Sequence, residues 1–172
     1  MPHPFMAGVA SVEMVLCPCH PGNPDACDPT AYPEGESPMK KTYVGGCHCG
    51  AVRYEADIDL SAGTLKCNCS ICTKVRNWLA FVKPDEFRLL AGETELSDYQ
   101  FGAKRIHHLF CKHCGVHSFG RADAPELGGK SYAVNVNCLA DVNIDELVSA
   151  PITCVDGRND NWKSPPAETR HL

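Results

Sequence analysis

The chain contains no apolar run approaching the ~20 residues that a helix needs to cross a bilayer. Its first apolar stretch, Phe5 to Cys17, lacks a basic leader segment and is broken by Glu13, so no signal peptide is expected. Positive charge is also short, with 16 Lys and Arg against 21 Asp and Glu and a net charge of -5. That balance gives no electrostatic reason to expect nucleic acid or an anionic membrane as a partner. Heptad or 3.6-residue periodicity is scarce, and there is no internal repeat. These shortages leave a cytoplasmic protein with a small-molecule partner as the expectation.

Cysteine is abundant, at 12 of 172 residues, yet too sparse for a small disulfide scaffold. Its placement is more telling than its number. Seven cysteines form three tight groups: Cys47-His48-Cys49, Cys67-Asn68-Cys69-Ser70-Ile71-Cys72 and Cys111-Lys112-His113-Cys114. Disulfide frameworks scatter their cysteines, whereas CxC and CxxC spacings suit metal ligation in a reducing compartment. The first and third groups are each followed by glycine, Gly50 and Gly115. Glycine there permits the tight backbone of a zinc knuckle, which aims amide hydrogens at sulfur. Two knuckles make one tetrahedral four-sulfur site, so Cys47, Cys49, Cys111 and Cys114 are expected to hold a structural zinc.

The middle group has three thiols and no obvious fourth. Three ligands with an open position are the pattern of a catalytic zinc, and Cys67, Cys69 and Cys72 are the expected working site. A closed site remains an alternative, with a fourth ligand from Cys138, Cys154, His107, His108 or His117. An open position on such a centre suits activation of an incoming thiol for addition to a small aldehyde, or the reverse. His107, His108 and His117 are candidate proton carriers, although strand histidines are more often packing or surface residues. Lys74, Arg76, Arg105 and Arg121 could meet substrate carboxylates. Trp78 and Phe81 read as core or as a pocket wall, and Cys138 and Cys154 as buried small hydrophobes. All-sulfur ligation favours zinc, while iron could load the same sites during expression.

From Thr42 onward short apolar or alternating runs are separated by turn residues, which predicts an all-β domain with little helix. Strands are expected at Ala51 to Ala56, Thr64 to Cys67, Trp78 to Val82, Phe87 to Leu90, Leu96 to Phe101, Arg105 to Phe110, Val116 to Arg121 and Tyr132 to Cys138, with one helical turn at Thr73 to Asn77. Asp145 to Val148 is too short to assign. Trp162 is the expected anchor of an irregular tail on the core. Residues 1–38 differ in texture, carrying eight prolines and no periodic apolar pattern. They read as an N-terminal extension to a domain at 39–172, with Met39-Lys40-Lys41 resembling a natural start and Cys17, Cys19 and Cys27 as incidental thiols.

Gly45-Gly46-Cys47-His48-Cys49-Gly50-Ala51-Val52-Arg53-Tyr54-Glu55, the Cys67 to Cys72 group and Phe110-Cys111-Lys112-His113-Cys114-Gly115 together resemble the glutathione-dependent formaldehyde-activating enzyme family, which includes the centromere protein V-like proteins. The resemblance spans roughly Lys41 to Trp162. It implies a tent-like arrangement of short antiparallel sheets around two zinc ions per chain. It also implies carbon-sulfur lyase chemistry of the S-(hydroxymethyl)glutathione synthase kind, with glutathione or another small thiol as co-substrate at Cys67, Cys69 and Cys72. A zinc-stabilised β module that binds glutathione or a protein without turnover is the alternative. Asp156-Gly157-Arg158-Asn159-Asp160-Asn161-Trp162 has no role that spacing assigns, and a subgroup with another substrate would differ there.

Overall fold

The computed structural model describes residues 39–125 and 129–172. The proline-rich extension and Cys17, Cys19 and Cys27 lie outside them. Ten strands form two sheets: β1 Lys41–Gly46, β2 Arg53–Ile58, β3 Thr64–Cys67, β4 Leu79–Val82, β5 Phe87–Ala91, β6 Leu96–Tyr99, β7 Ile106–Cys111, β8 Phe119–Ala124, β9 Gly129–Asn135 and β10 Ile152–Val155. The helices are short, α1 Cys72–Val75 and α2 Ile144–Ser149. The all-β expectation therefore holds. Strands displaced from their expected bounds moved by a few residues, and β1 and β10 were not foreseen.

Order in the smaller sheet is β1-β2-β5, and in the larger β10-β3-β4-β9-β8-β7-β6. Neighbours pair antiparallel except β10 with β3, which run parallel and set Val155 opposite Cys67. β2 alternates buried Tyr54, Ala56 and Ile58 with more exposed residues, as a strand with one face on a core must. The two sheets join through aromatic rings: Tyr54 and Phe87 from the smaller, Phe119 and Tyr132 from the larger. Phe87 lies 4.1 Å from Tyr132 in a stacked pair and 4.7 Å from Phe119, and Tyr54 meets Phe119 edge-on at 5.4 Å. Such pairs add roughly 0.5–1.5 kcal/mol each beyond the area they bury. Fully buried Tyr54 donates its hydroxyl to the Ser118 carbonyl at 3.2 Å, so its one polar atom is satisfied. Gly45 makes room for that ring, since a Cβ there would stand 2.4 Å from Tyr54 Cζ.

Helix α2 starts at Asn143, whose side chain accepts from the Asp145 amide at 2.8 Å. Glu146 in its first turn accepts from Lys41 at 3.0 Å and from the Tyr43 hydroxyl, which ties the helix to β1. Among the described residues no helix is long and apolar enough to cross a membrane.

Candidate metal centres and the adjoining cavity

Seven cysteines foreseen as ligands fall into two clusters, each with its Sγ atoms within 4.8 Å of one another. Cys47 and Cys49 follow β1, and Cys111 and Cys114 close β7. The two knuckles are built alike. In the first, the Cys47 amide donates to the Val52 carbonyl at 3.0 Å and the Gly50 amide to the Cys47 carbonyl at 3.2 Å. In the second, the Cys111 amide donates to Val116 at 3.1 Å and the Gly115 amide to Cys111 at 2.9 Å. Gly50 and Gly115 have φ of 77° and 73°, the left-handed region that side chains with a Cβ disfavour.

Sulfur separations test the fit to a metal. Cys47 and Cys49 lie 3.5 Å apart, and Cys49 and Cys111 3.7 Å. A tetrahedron with metal–sulfur bonds of about 2.3 Å has edges of about 3.8 Å. The Val52 amide donates to Cys47 Sγ at 3.3 Å. Amides of Val116 and Cys49 hold the Cys114 thiol down at about 6, while Cys49, despite the Ala51 amide, is pushed up to about 12 by the sulfurs of Cys47, Cys111 and Cys114. Four thiols this close cannot all ionise without a cation among them, and a divalent ion removes that conflict. His48 and His113 are exposed beside the cluster and outside it, and His113 meets Glu95 instead.

Cys67 ends β3, Cys69 follows in the turn, and Cys72 opens α1. The Cys69 amide donates to Cys67 Sγ at 3.3 Å. The neighbouring Cys67 and Cys72 sulfurs draw Cys69 down to about 2, while Cys72 is pushed far up by Cys67 and Cys69. Three thiols this close oppose one another's ionisation, a conflict that a bound cation would relieve. Among the described residues no fourth His, Cys, Asp or Glu donor joins this cluster. Of the alternatives for a closing ligand, Cys138 packs by the His117 carbonyl, with Sγ 4.0 Å from it, and His107 is held by Asp98 at 2.6 Å. Cys138 and Cys154 are half-buried rather than buried.

The three sulfurs border a cavity of about 840 Å³. Its walls come from β3, β4, β7, β8 and β9 and from the segment after β10. His108 and His117 line it, whereas His107 faces a separate pocket. Burial holds His108 below the ordinary histidine value, partly opposed by the charge at Cys69, and burial alone does the same to His117. Both are therefore neutral at pH 7. Arg105 and Arg121 reach the cavity. Lys74 and Arg76 do not line it, and Arg76 donates to the His171 carbonyl instead. Phe81, 51% exposed, is a cavity wall, while Trp78 packs on the core and donates to Thr64 Oγ1 at 2.7 Å.

Sequence reasoning missed the segment that seals the triad. The side chain of Asn68, between two of the cysteines and buried, donates to Asp156 at 2.6 Å and accepts from the Arg158 amide at 2.9 Å. Asp156 and Asn161 exchange two backbone hydrogen bonds of 3.0 Å, closing the turn between them. Gly157 then lies directly against the triad: a Cβ there would stand 2.6 Å from Cys67 Sγ and 2.9 Å from Trp162 Cη2. Trp162 is 47% exposed and faces the cavity, so it does not anchor the tail on the core as expected. The density of Asp, Asn and Gly predicts a turn here, but its contact with Cys67 depends on the β10–β3 pairing.

The profile described as glutathione-dependent formaldehyde-activating enzyme matches residues 42–152. A Penicillium rubens protein described as a putative glutathione-dependent formaldehyde-activating enzyme is 32% identical over 106 residues, a match covering 55% of each chain. The chain thus spans about half the length of that curated relative. A crystal structure of a Rhodobacter sphaeroides protein superposes with a TM-score of 0.54 at 32% identity, covering 64% of this chain and 99% of that one.

Proposed function

Since this chain belongs to the glutathione-dependent formaldehyde-activating enzyme family, we propose that it is a zinc-dependent carbon-sulfur lyase that makes or breaks the adduct of glutathione, or a similar small thiol, with an aldehyde. The observation that carries this reading is the three-sulfur cluster bordering a large cavity, with no fourth His, Cys, Asp or Glu donor beside it among the described residues. Cys47, Cys49, Cys111 and Cys114 would hold a structural zinc, and Cys67, Cys69 and Cys72 a second. When bound at the second site, zinc supplies a Lewis acid with an open position, which lowers the proton affinity of a thiol.

The chain's own residues account for the remainder. In the forward direction a carbon–sulfur bond forms as the carbonyl π bond opens, and the thiol proton ends on the carbonyl oxygen. His108 and His117, neutral and on the cavity wall, can carry that proton. Arg105 and Arg121 can take carboxylates of the thiol. Asn68, Asp156 and Gly157 pack against the triad from one side.

Metal content per chain, measured by elemental analysis on wild type and Cys69→Ser with glutathione titrated into both, tests the assignment. Two zincs falling to one, with glutathione binding lost in the variant, is the expected result. One zinc in both proteins with no glutathione response would overturn it.

A further inference from the structure

The cavity is more apolar than the glutathione adduct of a one-carbon aldehyde requires. Its volume of about 840 Å³ has room for a drug-sized ligand, the glutathione half of an adduct included. Glutathione is a polar, charged tripeptide and gains little from apolar walls. Yet three large rings, Phe81, Phe101 and Trp162, line the cavity at 51%, 44% and 47% exposure. Rings left open to water inside a concave site mark a surface that a ligand covers.

Those rings are held in place. The Trp162 indole donates Nε1–H to Asp160 at 2.8 Å, and Phe101 stacks on His108 at 5.2 Å and 12°. Charge follows the same division. Among the described residues, Lys104, Arg105, Arg121, Arg158 and Lys163 border the cavity against one acid, Asp160, in a chain whose net charge is -5. The cations suit the carboxylates of the thiol, and the rings are left for the other half of the adduct. Arg158, Asp160, Trp162 and Lys163 all lie beyond residue 152, where the family match ends. Phe81, Phe101, Lys104, Arg105 and Arg121 lie within the matched residues, so the wall is built jointly by them and by the segment after β10.

Resting on the carbonyl–thiol reading above, we infer that the carbonyl half of the adduct is an aromatic group, seated on Trp162 and flanked by Phe81 and Phe101. Trp162 is then the residue that sets specificity at this site. Its nearness to the triad supports the role, because Cys67 Sγ and Trp162 Cη2 stand 2.6 and 2.9 Å from the same point, where a Cβ on Gly157 would sit.

The test uses two blocked thiols, S-methylglutathione and S-benzylglutathione, which cannot present a free thiol to the metal and so report the wall alone. Their affinities for the zinc-loaded full chain are measured by calorimetry on wild type, Trp162→Ala and Trp162→Phe, with metal content checked in each. The benzyl probe should bind wild type at least about tenfold tighter than the methyl probe, the ratio expected for burying most of a phenyl ring. Trp162→Ala should reduce that ratio to near one, and Trp162→Phe should keep most of it. In turnover with glutathione, Trp162→Ala should lower kcat/KM for benzaldehyde more than for formaldehyde. Equal affinities in wild type, or a preference that survives Trp162→Ala, would overturn the inference. If glutathione binding were still lost in Cys69→Ser, the zinc and thiol reading would then stand. Failure of glutathione and both thioethers to bind would overturn both.

Discussion

Gly157 bears a constraint that its sequence neighbours do not reveal. Its backbone is not in the left-handed region, so alanine is excluded by space rather than by conformation. The added methyl would meet Cys67 Sγ and the Trp162 ring, and a buried sulfur clustered with two others has little freedom to retreat. Gly157→Ala should destabilise the protein by roughly 1–3 kcal/mol and cut metal content from two ions toward one, read by thermal melting and elemental analysis. Full loading with unchanged stability would mean that the segment does not support the triad. His108 offers a second test at this scale. Burial lowers its pKa and keeps the imidazole neutral at pH 7, so thiol addition should be level near neutrality and fall only on the acid side of the ordinary histidine value, as the ring gains a proton. His108→Gln should flatten that acid limb and leave a slower rate, visible in a pH–rate profile; an unaltered limb would reassign the proton to His117 or to solvent.

At the scale of elements, α2 is tied to β1 through Glu146. The Tyr43 hydroxyl and then Lys41 hold this carboxyl below the usual carboxylate range. A carboxyl with a depressed folded-state pKa contributes stability that is present above its unfolded value, near 4.3. That contribution is lost as pH falls through the folded value. Glu146→Gln should therefore be less stable than wild type by roughly 1–2 kcal/mol at pH 7, and the gap should close below about pH 4, measured by denaturant unfolding of both proteins across the acid range. Because the two share the same metal sites, the difference isolates Glu146. The strands here were readable because β2 alternates, β4 is a short apolar run and turns carry glycine. β10 was not, since Ile152-Thr153-Cys154-Val155 follows a proline and has too few residues to show a period. Only its pairing with β3 makes it a strand. That same pairing delivers Asp156 and Gly157 to the triad.

For the whole molecule, the four-sulfur cluster joins the loop after β1 to the end of β7, across a sequence separation of 62 residues between Cys49 and Cys111. Structural zinc of this type is worth roughly 10 kcal/mol or more in isolated modules. Chelation or Cys111→Ser should lower the melting temperature by at least about 10 °C, followed by circular dichroism with and without added zinc. Cys69→Ser should shift it much less, because Cys67, Cys69 and Cys72 are already close in sequence and close a short loop. Similar losses from both substitutions would contradict the division between a structural and a working site.

The amino-acid sequence by itself determined the two cysteine clusters, the knuckle glycines and the predominance of strands, because ligand spacing, positive-φ turns and period-two alternation are all local properties of the chain. Tertiary structure alone decided which histidines share the cavity with the triad, as His107 and His108 are adjacent yet point to opposite faces of β7. It also decided that Phe81 and Trp162 are walls of a cavity. An apolar side chain is written identically whether it faces a core or a ligand, and only the packing of distant strands distinguishes the two.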